Sequence, residues 1–326
     1  HSNHPKPKQI VDYDKSYIDK YDAHIKNSVI SRASSGTNTI MNSGGWDSTS
    51  IAYLLTENFD KKNINSIVFE VMLSDKQSFN VYEVDKVKRI SDHFGIETEK
   101  CTIDYSDNSS VDLWERSLEN LRDNHTYFWL HHIKLAEQVG VNAEGNSSVF
   151  SGEASDSIHN FGFSQFVSVN YDNMFLREYA DKAKSFLYGP TFLNKITEGS
   201  YREDKVFNFF NGYYGAEKFE LPANDIKEEA FYKYLQAFAL SYPRVPFAKW
   251  KNNDVVKHTL NDNFTSYINQ NYFSDLVEGM DSHNLYYNLL QVYRRFHFQS
   301  AQIHIGNVAF NKFNLSCKMP FLDMNI

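Results

Sequence analysis

Only two cysteines, Cys101 and Cys317, occur in 326 residues. They form neither a disulfide framework nor a metal-binding spacing, which makes a reducing, cytoplasmic compartment the expectation. No apolar run approaches the ~20 residues of a membrane-spanning helix, and no signal-peptide apolar segment opens the chain, so no membrane partner is expected. A long basic run is missing as well. With a net charge of −8, that argues against a nucleic-acid partner and for a small-molecule substrate. Internal repeats and low-complexity linkers are absent, which removes repeat arrays and flexibly tethered modules. Apolar residues are plentiful. At 41% hydrophobic and 16% aromatic, the chain can build a sizeable core in one large domain or two ordinary ones. Residues 1–10, without an initiator Met, read as a disordered lead or cloning remnant.

One stretch organises the rest. From Thr39 to Leu55 the sequence reads TIMNSGGWDSTSIAYLL. A short apolar strand runs into Ser43-Gly44-Gly45-Trp46-Asp47-Ser48, and a helical apolar pattern follows through Ile51, Ala52, Leu54 and Leu55. The glycines let the backbone bend tightly and approach a ligand. The helix then aims its free N–H groups and positive dipole end at the turn, and such a turn suits a phosphate or pyrophosphate. Asp47 would repel a bare phosphate. A Mg²⁺ between them removes the conflict, because that ion takes one or two carboxylates plus phosphate oxygens. The mononucleotide P-loop is excluded, since it needs a Lys ahead of its Ser/Thr.

The neighbouring segments alternate. A helix over 11–33 precedes the loop. Strands are expected at 63–71, 97–103 and 147–150, and helices at 78–94, 111–121 and 127–139. Gly95 suits a helix C-terminus. This order predicts an α/β fold, a parallel sheet with helices on both faces, whose ligands bind beyond the carboxyl ends of the strands. The turns at Ser43–Ser48 and Ser151-Gly152 should therefore open on the same edge. After about Tyr171 the pattern becomes helical and rich in Tyr and Phe, with helices at 173–187, 227–239, 255–276 and 284–308. The division is an α/β core over 11–170 and a helical portion over 171–326. Adjacent His131-His132 point to different sides of a helix and make no metal site. The aromatic second half reads as packing.

A second motif, VFSGEASDSIHNFGF, spans Val149 to Phe163. Together with SGGWDS it resembles the synthetase domain of the asparagine synthetase family, within the ATP pyrophosphatases. That family's second motif runs Ser-Gly-Glu-Gly-x-Asp-Glu. Near the end, Lys318-Met319-Pro320-Phe321-Leu322-Asp323 is similar to the family's Arg-x-Pro-Phe-Leu-Asp. The resemblance implies an adenine nucleotide α-hydrolase-like fold and an AMP-forming ligase using ATP and Mg²⁺. Such an enzyme activates a substrate carboxylate as its adenylate, releases pyrophosphate, and passes the acyl group to an amine or ammonia. It further implies that Ser43, Gly44, Gly45 and Ser48 hold pyrophosphate and that Asp47 and Asp156 ligate Mg²⁺. Ser151 and Gly152, with Val68 and Phe69, would line the adenine pocket. Glu153 would act on the amine.

Several positions depart from the family. Asn42 stands where Leu is common, Trp46 fills a variable position, Ala154 replaces a glycine, and Ser157 follows Asp156 where Glu is usual. The family's N-terminal glutaminase domain is not expected within these residues, and the resemblance then implies free ammonia, a separate amine-supplying subunit or an amine within the substrate. The family's catalytic lysine lies on a loop after the third motif and is not expected within residues 1–326, so it is expected either from a segment past Ile326 or from elsewhere; Lys318 does not match it. Two alternatives stay open. One is another ATP pyrophosphatase, NAD-synthetase-like or tRNA-modifying. The other is a non-catalytic nucleotide-binding member.

Overall fold

The computed structural model describes residues 14–73, 77–124, 130–142, 146–155, 262–278 and 303–323. The chain divides into two compact units. One comprises Asp12–Ser155 and Phe298–Ile326, and the other His1–Val11 and Asp156–His297.

The first unit opens with α1 (Lys15–Ile30), which starts where Asp14 caps it: the carboxylate accepts from the Ser16 backbone N–H at 2.7 Å. Only the second half of this helix is buried, through Ile25, Ser28 and Val29, while Ile18 is exposed. Then come β1 (Asn38–Met41), α2 (Trp46–Asn58), β2 (Ile64–Met72), α3 (Val81–Phe94) and β3 (Glu97–Asp104). Gly95 ends α3 in the left-handed region at φ 69°, as expected of a C-terminal glycine. After β3 follow α4 (Ser109–Asn124), α5 (Leu130–Asn142) and β4 (Ser148–Ser151). The last described segment adds α6 (Ile303–Asn311) and β5 (Ser316–Lys318).

The five strands form one sheet in the order β3-β2-β1-β4-β5, and every pairing is parallel. The architecture is the expected α/β one and is consistent with an adenine nucleotide α-hydrolase-like arrangement. Ile40 stands level with Ser66 and Phe150, and Met41 with Ile67 and Ser151. Because successive residues of a strand face opposite ways, this register sorts the core into two layers. On one face Ile67, Cys101, Ile103 and Val149 pack with Leu113 of α4, Ile133, Leu135, Ala136 and Val139 of α5, and Phe310 of α6. The other face carries Ile40, Ile64, Val68 and Phe150, all buried, and is covered by α2 and α3. Burying a side chain such as Phe150 or Ile40 is worth roughly 1.5–3 kcal/mol.

The strand order carries the functional geometry. From β1 the chain steps outward to β2 and β3 through helices on one face. It then crosses by α4 and α5 on the other face to β4, on the far side of β1. The order reverses between β1 and β4, and in open α/β sheets the ligand crevice lies at such a point, beyond the carboxyl ends of the strands. Both motifs named above start at that switch point.

The β5 strand lies past the last expected helix, at 284–308, in a stretch for which the sequence pattern gives no strand. Its three residues are each half-buried, too few and too evenly exposed for a period-2 signal. In the second unit only 262–278 is described. It is helical at Asp262–Ile268 and Ser274–Glu278 and widens to a π-turn across Asn269–Phe273, within the span expected to be one regular helix. The helices expected at 173–187 and 227–239 lie outside the described residues, as does most of that expected at 284–308, of which the last turn opens α6.

Candidate functional site

The loop after β1 begins as an extension of the ladder: the Asn42 N–H donates to the Ile67 carbonyl at 2.8 Å. Asn42 itself is buried and works as a clamp. Its Oδ1 accepts from the Gly44 N–H at 2.8 Å and from the Ser48 hydroxyl at 3.1 Å. Its Nδ2 donates to Ser66 Oγ on β2 at 3.1 Å. Gly44 takes φ 68°, a conformation that a Cβ disfavours. The Ser43 N–H reaches Ser48 Oγ at 3.3 Å, and the Gly45 N–H reaches Ser43 Oγ at 3.4 Å. The loop's own side chains thus hold the turn shut on itself. By contrast, Gly45 at the N-cap of α2 offers no side-chain cap, so the helix presents an uncapped positive end to the crevice. Trp46, the first helical residue, is 90% exposed.

The two motifs meet in space. A methyl group placed on Gly152 would lie 3.0 Å from Asp47 Cβ and 3.1 Å from the Ser48 nitrogen. Only a glycine lets the β4 turn come this close to the start of α2. The Ser155 hydroxyl donates to Asp47 Oδ1 at 2.8 Å. Tyr21 of α1 stands close enough to sense Asp47. Burial first, and then the Asp47 charge, push its phenol up to about 12, so it stays protonated at neutral pH. Ser151 is buried, and its Oγ accepts the Glu153 N–H at 3.2 Å, bracing the turn. Ala154 follows at φ 77°, in the left-handed region, at the position where the resemblance has a glycine. Glu153 is exposed. It lies near Cys317, whose thiol is pushed up to about 12, chiefly by burial and then by the Glu153 charge.

Of the residues singled out in the sequence, Ser43, Gly44, Gly45, Asp47, Ser48, Ser151, Gly152 and Glu153 fall around this crevice. Val68 and Phe69 follow the end of β1 on the neighbouring strand, but their side chains point to opposite faces. Val68 is buried, and Phe69 packs on the layer built by α4, α5 and α6. Asp156 lies outside the described residues. Among the described residues no group of three or more His, Cys, Asp or Glu side chains is arranged to hold a metal. No described helix is long and apolar enough to cross a membrane. Four participants went unread in the sequence. Ser155 sat at a variable motif position, Tyr21 looked like part of an apolar stripe, and Ser66 lay inside a strand. The fourth, Lys86 of α3, belongs to no motif. A methyl group on Gly44 would meet its Cγ and Cδ at 3.1 Å.

No protein-family model matches this chain, and no curated protein matches it. Among solved structures it is similar to the U34-tRNA thiolase NcsA from Methanococcus maripaludis with its [4Fe-4S] cluster. The identity is 14%, the alignment covers 80% of each chain, and the TM-score is 0.27.

Proposed function

We propose that this chain is an ATP pyrophosphatase that adenylates a substrate carboxylate and transfers the acyl group to an amine or ammonia, releasing pyrophosphate and AMP. One observation carries the reading: SGGWDS and SGEAS abut at the switch point of a 3-2-1-4-5 parallel sheet, with Gly152 packed on Asp47. Ser43, Gly44, Gly45 and Ser48, at the uncapped end of α2, form the pyrophosphate cradle. Its N–H groups would trade their present partners, Ser48 Oγ, Asn42 Oδ1 and Ser43 Oγ, for phosphate oxygens. Ser151, Gly152 and the part of β2 around Val68 and Phe69, just past the end of β1, border the adenine.

Asp47 is the right kind of donor for Mg²⁺, a hard ion that takes a carboxylate or two and completes its shell with phosphate oxygens and water. Asp47, with Asp156, would hold that ion, which supplies charge neutralisation for the leaving pyrophosphate. Ser155 orients the Asp47 carboxylate. Glu153, exposed at the rim, is the proposed group that orients or deprotonates the amine. Adenylation asks little covalent chemistry of a protein; it asks for alignment and for stabilisation of developing charge.

A second reading keeps the same cradle and changes the acceptor: adenylation of a nucleobase oxygen in RNA. The exposed rings of Trp46, Phe79 and Tyr82 favour it, and the net charge of −8 counts against it. Exchange of labelled pyrophosphate into ATP tests both. Exchange that depends on a carboxylate supports the main reading, and exchange that depends on RNA supports the second. Release of ADP and phosphate would overturn both.

A further inference from the structure

The glycine loop lacks the lysine that a P-loop carries next to its Ser/Thr, and Asp47 stands there instead. A pyrophosphate held on this loop would face a carboxylate with no cation from the same strand–turn–helix stretch. We infer that Lys86, on the neighbouring helix α3, is the cation of the cradle and binds the pyrophosphate portion of ATP across Gly44.

Four observations support this assignment. First, the lysine stem lies on the loop: a methyl group on Gly44 would meet Lys86 Cγ and Cδ at 3.1 Å and Cβ at 3.5 Å. The φ of 68° disfavours a side chain at Gly44, and a Cβ there would also press on the Lys86 stem. Second, the direction is right. Side chains on a helix lean toward its N-terminus, and α3 begins at Val81, beside the carboxyl edge of β2, where Asn80 Nδ2 donates to the Phe69 carbonyl at 2.7 Å. A lysine one and a half turns into α3 thus extends back toward the crevice. Its ammonium lies two bonds beyond an atom already packed on the glycine.

Third, Lys86, like Lys26 and Lys88, has no ion pair or side-chain hydrogen bond among the described residues, so its ammonium is not committed to a carboxylate as those of Lys62 and Lys100 are. Glu83, one turn earlier on the same helix, is engaged by Asn80 Nδ2 at 3.2 Å. Fourth, the loop's N–H groups at Ser43, Gly44 and Gly45 already have partners. An incoming anion needs a net positive group to compete for them, and a lysine on a flexible stem is a common phosphate binder.

The inference rests on the reading of the loop as a pyrophosphate cradle, and the test separates the two. Calorimetry on the full chain measures binding of inorganic pyrophosphate, Mg·ATP and AMP to the wild type, Lys86→Met and Lys86→Arg. Methionine keeps an aliphatic stem over Gly44 and removes the charge. The expected result is about 10- to 100-fold weaker binding of pyrophosphate and ATP by Lys86→Met, as for loss of a charge-assisted contact. AMP binding should change less than about twofold, and Lys86→Arg should stay within a few-fold of wild type. Wild-type pyrophosphate affinity retained in Lys86→Met, or an equal loss for AMP, would overturn the lysine assignment while leaving the cradle intact. No binding of ATP or pyrophosphate by the wild type would overturn the cradle and the lysine with it. Lys86→Gln gives the same discrimination if the methionine variant fails to fold.

Discussion

Asn42 is the residue whose replacement tests the site most directly, because its three hydrogen bonds join the loop, the start of α2 and β2. Asn42→Leu restores the residue common in the resembling family and keeps roughly the same volume. It strips the Gly44 N–H and the Ser66 hydroxyl of their partners, at 2.8 and 3.1 Å. The Ser48 hydroxyl can turn to the Gly45 carbonyl at 3.4 Å. Ser66 is fully buried and Gly44 is also buried, so water does not replace the lost partners. Each orphaned group costs about 1–3 kcal/mol, roughly 2–6 kcal/mol for the two. Greater apolar burial of leucine returns about 2 kcal/mol. The expected net loss is about 2 kcal/mol in urea unfolding followed by circular dichroism, together with faster hydrogen exchange at the Gly44 amide. Adding Ser66→Ala removes one orphan, so the double variant should recover about 1 kcal/mol relative to simple addition of the two losses. An Asn42→Leu protein as stable as wild type with an equally protected Gly44 amide would refute the clamp. Strict additivity of the pair would do the same.

Two further outcomes follow from local geometry. Ala154→Gly should leave stability within about 1 kcal/mol of wild type, because the left-handed φ of 77° is relieved while a buried methyl is lost. Ala136→Gly, equally buried but inside α5, should cost about 2 kcal/mol; equal losses would refute the strain at Ala154. Burial pulls the His132 imidazole down to about 4. Between pH 6.5 and 4 the unfolded chain therefore binds a proton that the folded one refuses, and stability falls as the pH falls. From pH 6.5 to 4.5 that component is on the order of 2 kcal/mol, and His132→Phe should lack it when unfolding is compared across that range.

The α/β half was legible because its signals are local. Ile40 and Met41 followed by two glycines, the β-branched run ending in Val71, and Gly95 after Phe94 each announce an element boundary within a few residues. The shared edge of the two turns was legible as well, since parallel strands leave no other arrangement. Pair-specific contacts were not. Nothing in the spacing of Lys86 to Gly44, or of Ser155 to Asp47, distinguishes them from solvent-facing residues, since each contact exists only once the strands are ordered. Asn42 was visible as a departure from the family, but its three partners belong to the folded loop. The third motif reads differently in three dimensions. Asp323 pairs with Arg32 at 2.8 Å, and the Pro320 carbonyl accepts from Ser28 Oγ at 2.7 Å, so Pro320–Asp323 is tied down on α1.

The position of β5 has a consequence in time. Its partner β4 ends at Ser151 and β5 begins at Ser316, so about 160 residues separate two neighbours of one sheet. At roughly 5–20 residues per second of synthesis, the ribosome needs on the order of 10–30 s to deliver the closing strand. For that interval the nascent chain holds β1 to β4 with one outer edge lacking its final ladder partner. Such an edge can recruit another strand, which makes the wait for Ser316–Lys318 the vulnerable stage of this protein's biogenesis.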